Sequence, residues 1–91
     1  MKKQFYWLSM ARPSPTGNEF AGVVILPLKA ADLNDAIAQA QRLGHVPQGA
    51  ICKGGPLLDT VVPPADYVGR VLDEAEARKA MAILEKAAQS T

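Results

Sequence analysis

The chain has 91 residues, of which 48% are hydrophobic, 21% charged and 5% aromatic, with one Cys and one His. That length holds one domain, residues 1–91, and leaves no room for a catalytic domain beside a cofactor domain. Ten basic against nine acidic side chains give a net charge of +1, which is not the electrostatic footprint of a nucleic-acid or anionic-lipid binder.

The charge is unevenly spread. Residues 1–53 carry six basic and three acidic side chains, and residues 54–91 carry four basic and six acidic. Such a split can orient a chain toward a partner or toward a second copy of itself. Cys52 alone excludes an internal disulfide and fits a reducing, cytoplasmic setting, and one His removes most zinc arrangements. No apolar run approaches the roughly 20 residues of a membrane span. The opening MKKQFYWLSM is short and aromatic, and reads as a strand rather than a signal peptide.

Residues 4–10 read QFYWLSM. On a strand, Phe5 and Trp7 point one way and Tyr6, Leu8 and Met10 the other, so both faces carry bulk and both need cover. Residues 12–18, RPSPTGN, form a connecting loop, longer than a two-residue hairpin turn. Residues 20–28, FAGVVILPL, are rich in strand formers, with Pro27 expected at the strand end or on an edge.

The first helix is expected over residues 32–43. Asp32 caps it, with Asp35 three residues on, and Leu33, Ala36, Ile37, Ala40 and Leu43 form a shallow apolar stripe. Gly44 stands where a helix needs its left-handed terminator. Residues 45–49 turn the chain and residues 50–53 form a short third strand, returning parallel to the second after the helical crossover. Residues 57–69 are a connector in which Pro63-Pro64 forbids a helix or a central strand, with one short turn from Pro64 to Tyr67. The second helix is expected over residues 73–89. Asp73 and Glu76 form a capping pair, Glu74 and Arg78 an i,i+4 ion pair, and Ala77, Ala80, Met81, Leu84 and Ala88 the buried stripe. Ile83 lies off the centre of that stripe.

The order β-β-α-β-loop-α predicts an α/β (α+β) fold, a small two-layer sandwich with a three-stranded mixed sheet and both helices on one face. The other face of the sheet would then be open, and a second subunit would cover it.

Four residues are candidates for a ligand or anion site. Cys52 beside Lys53 could be an activated thiol, but neighbours on a strand face opposite sides, and a lone Cys before a glycine turn reads as packing. The Lys53-Gly54-Gly55 run could offer an amine and backbone N–H groups to a phosphate, yet it lacks the GxxxxGK[ST] loop and any dinucleotide signature, so no cofactor is expected. His45 could be a general base, with Cys52 its one plausible catalytic partner, or a local group at the helix end. Arg12, beside the Pro-stiffened Ser14–Asn18 loop, could grip an anion or a peptide. Acidic residues show no metal-ligand spacing, and nothing assigns an enzyme activity.

Phe5, Tyr6 and Trp7 are the interface candidates, since a Trp-Tyr cluster on a sheet is the material of an interaction hot spot. The sequence therefore reads as a non-enzymatic protein-interaction or adaptor module acting as a homodimer. The alternatives are a small-molecule or anion binder using residues 45–55, and a weak nucleic-acid binder using Lys2, Lys3, Arg12, Arg42 and the aromatics.

Overall fold

The computed structural model describes residues 4–89. The elements are β1 (Gln4–Ser14), β2 (Gly17–Leu28), α1 (Leu33–Arg42), β3 (Ile51–Pro56), one 3-10 turn (Ala65–Tyr67), β4 (Val71–Leu72) and α2 (Glu74–Gln89). The fold is α+β, with four strands in the order β3-β1-β2-β4 and every neighbouring pair antiparallel.

The sheet differs from the sequence reading in three ways. It has four strands rather than three, because β4 is a two-residue strand on the far edge of β2. It is antiparallel rather than mixed. The chain does return from α1 in the direction of β2, but β3 lands beyond β1 and pairs with that strand instead. The helices also lie on opposite faces. Tyr6, Leu8, Met10, Val24, Leu26 and Leu28 pack with Ala36 and Ala40 of α1. The alternate positions Val23 and Ile25 pack with Leu72 and with Ala77, Ala80 and Leu84 of α2. Because successive strand residues face opposite sides, those two clusters make three layers of α1, sheet and α2. The cover that β1 needs on its second face comes in part from the chain's own C-terminal helix.

The β1–β2 hairpin is longer and tighter than a seven-residue loop. Ser14 pairs with Gly17, so only Pro15 and Thr16 turn the chain. Gly17 has φ +125°, and the Ser14 hydroxyl donates to the Gly17 carbonyl at 2.6 Å. Pro13 is tolerated in β1 because the β3 pairing stops at Ala11, leaving one side of the strand without a ladder partner.

Both helix starts follow the expected chemistry. Asp32 accepts from the Asp35 N–H at 2.8 Å, and the Asp35 carboxylate accepts from the Ala31 N–H at 3.0 Å. Asp73 accepts from the Glu76 N–H at 2.8 Å, and Glu76 accepts from the Asp73 N–H at 3.4 Å, a reciprocal capping box. α1 ends in a Schellman motif: His45 N–H donates to Ala40 O and Gly44 N–H to Gln41 O, with Gly44 at φ +83°. Leu43 and Met81, both expected in buried stripes, are 59% and 44% exposed. Leu43 is the C-cap, where the helix leaves the sheet, and Met81 stands on the flank of α2 beside the buried Ala80.

Candidate functional site

The four ligand candidates lie in three places. Arg12 pairs with Glu19 near the hairpin tip. His45 follows the Schellman glycine at the end of α1. Cys52 and Lys53 sit on the edge strand β3, opposite Met10 and Ser9. Among the described residues no side-chain hydrogen bond or ion pair joins any two of the four. Cys52 packs against the α1-side core, and burial pushes its thiol pKa up. Lys53, on the opposite face, is exposed. Among the described residues no group of three or more His, Cys, Asp or Glu side chains could hold a metal ion. No helix there is long and apolar enough to cross a membrane. Lys2 and Lys3, invoked for nucleic-acid binding, lie outside the described residues.

The aromatic run divides across the sheet. Tyr6 is buried in the α1-side core. Phe5 and Trp7 are only half-buried and border the α2-side core. α2 packs mainly on β2 and β4, so on this face it covers the β1–β3 half of the sheet only in part, with Phe5 and Trp7 at the border of its core. The result is a groove along the flank of α2 with Trp7 as its floor.

Two hollows make up this groove. One, of about 290 Å³, runs between Trp7, the connector residues Leu57 and Leu58, and Met81, Glu85 and Ala88 of α2. The other, of about 230 Å³, lies between Trp7, Phe20, and Glu74, Arg78 and Met81. Trp7 and Met81 line both. Phe20 and Leu58 on the rim are 46% and 60% exposed.

A β-bulge brings Phe20 to the groove. Met10 pairs with Gly22 but Ala11 pairs with Phe20, so Ala21 is one residue too many for its partner strand. The extra residue reverses the alternation, turning Ala21 to the α1 side and Phe20 to the face of Trp7. Gly22, at φ +140°, holds the kink, and a Cβ there would come within 2.5 Å of Val71 Cγ1. Sequence reasoning found Trp7 and missed Phe20 and Met81. A glycine two residues after the first aromatic of β2 was the available sign of a bulge.

The groove is apolar at its centre and charged along one wall. Glu74 and Arg78 pair at 2.6 Å, with side chains 62% and 78% exposed. Glu85 makes no ion pair within its own chain among the described residues. This arrangement can hold an apolar side chain over Trp7 and select its neighbours by charge. Compared with known protein families, curated proteins and solved structures, the chain finds no match.

Proposed function

We propose that the protein is a non-enzymatic interaction module that works as a homodimer, with the groove beside α2 as its contact surface. The observation that carries this reading is the Trp7 floor, half-buried between two hollows and flanked by exposed Phe20 and Met81. Large apolar groups left open side by side mark a surface that gains by being covered. An indole in a preformed depression is the kind of anchor that dominates contact energies.

The ligand-binding reading draws less support, because Arg12, His45, Cys52 and Lys53 stand on separate elements, apart from the adjacent pair on β3. A cytoplasmic setting suits the one cysteine, held as a free thiol. Sedimentation equilibrium over a range of protein concentrations tests the proposal. The expected result is a concentration-dependent dimer in which Trp7 emission shifts to the blue on association. A chain that stays monomeric at every concentration, with Trp7 emission constant, overturns it.

A further inference from the structure

We propose that the second copy docks with its α2 antiparallel to α2 of the first, each helix lying along the other's groove flank, about a two-fold axis beside Met81. This deepens the homodimer reading and rests on it. The groove wall of α2 carries Glu74, Arg78, Met81 and Glu85, spaced so that they share one helical stripe. The order of charges along that stripe is acidic, basic, apolar, acidic.

In a two-fold contact, residue i meets residue j and j meets i. With antiparallel helices centred between positions 81 and 82, position 78 meets 85 and position 85 meets 78. Arg78 of each copy then faces the partner's Glu85, giving two opposite-charge pairs with the two Met81 side chains between them. A parallel, in-register arrangement sets Arg78 against Arg78 and Glu85 against Glu85, which is repulsive at both positions. The charge order selects the antiparallel pairing.

The chain's own contacts leave these charges available. Glu85 has no ion pair within its chain among the described residues. Arg78 is held only by Glu74, in a pair so exposed that it contributes little to stability. Met81 is 44% and Phe20 46% exposed, so the centre and both ends of the two-fold contact supply apolar area that the monomer leaves in water.

The test is a charge swap read by sedimentation equilibrium, with far-UV circular dichroism as the check on folding. Arg78→Glu sets two carboxylates against each other at both ends of the contact, and Glu85→Arg does the same with two guanidinium groups. Each single variant is expected to weaken the dimer about tenfold or more, and the double variant R78E/E85R to regain most of the wild-type affinity. A double variant as weak as the singles, or folded singles that dimerise like the wild type, overturns this geometry while leaving the homodimer reading standing. A monomeric wild type overturns both.

Discussion

The α-carbon of Gly54 lies so close to the Trp7 carbonyl oxygen that a Cβ built on it would overlap that oxygen. Gly54 has φ +155°, a conformation that side-chain-bearing residues rarely adopt. It pairs with Leu8 in the β1–β3 ladder. The glycine thus sets how closely β3 approaches β1 at the residue that floors the groove.

Gly54→Ala should therefore push β3 away from β1. We expect a loss of about 2–3 kcal/mol, combining backbone strain with a weakened ladder. Gly55 is the control, since a Cβ there meets nothing within 4 Å and the alanine variant should stay within about 0.5 kcal/mol of wild type. Urea unfolding followed by the emission of Trp7, the one tryptophan in the chain, measures both. Equal stability of the two variants would show that the Trp7 contact does not control the edge.

Asp73 tests how much of α2 is set locally. Its carboxylate takes the Glu76 N–H at 2.8 Å, so Asp73→Ala should cost about 1 kcal/mol. Arg78→Ala, which removes only the exposed pair with Glu74, should cost no more than a few tenths of a kcal/mol in the monomer. Denaturant midpoints at low protein concentration separate the two. A larger effect at Arg78 than at Asp73 would overturn this ranking of cap over ion pair.

The helices were legible because their signals are local. Asp32, Gly44, Asp73 and Glu76 each act within a few residues of where they stand, and all four hydrogen-bond as their spacing implies. The side of the sheet that each helix takes is a long-range matter, and an alanine stripe looks the same above a sheet as below it. The sign lay in β2, where Val23, Val24, Ile25 and Leu26 are buried in succession. An unbroken apolar run belongs to a strand covered on both faces, and the two helices supply that cover more simply than a second subunit. β4 was missed because two residues carry no periodicity. The groove was half legible: Trp7 declares itself by size, whereas Phe20 reaches it only through a bulge.

Ala36 and Ala40 are fully buried between α1 and the sheet. Their small side chains let the helix backbone approach the strands, so added bulk has nowhere to go. Ala36→Leu should destabilise by about 1–3 kcal/mol through overpacking. Gln41→Leu on the exposed side of α1 should be close to neutral. Thermal unfolding of the two variants decides the matter, and a neutral Ala36→Leu would mean that α1 sits loosely on its face.

Cys52 is predicted to be a slow nucleophile. Burial against the α1-side core raises its pKa, and Lys53 faces the other side of the sheet, where it does nothing to stabilise a thiolate. At neutral pH the native protein should react with a thiol reagent more slowly than a small free thiol, and the rate should climb as pH is raised. Urea should abolish the difference by exposing the residue. Labelling faster than the free thiol would reverse the assignment and make Cys52 a reactive group.

Arg70 and Glu76 give a pH dependence whose sign is fixed by geometry. Arg70 spans from the Asp66 carbonyl, which it reaches at 2.8 Å, to the Glu76 carboxylate at 2.5 Å, and so ties the 3-10 turn to the first turn of α2. The Arg70 hydrogen bond is the main cause that holds the Glu76 pKa below its ordinary value, and the bond from the Asp73 N–H adds to it. A carboxyl group whose pKa is depressed in the folded state stabilises the fold above its unfolded pKa, and that contribution is lost as pH falls through the folded value. Arg70→Gln should raise the Glu76 midpoint in a carboxyl-carbon NMR titration without carrying it fully to the ordinary value, because the Asp73 bond remains. The stability gap between wild type and variant should be widest near neutral pH and narrow in acid. A Glu76 midpoint unmoved by Arg70→Gln would show that the guanidinium does not hold the carboxylate in solution.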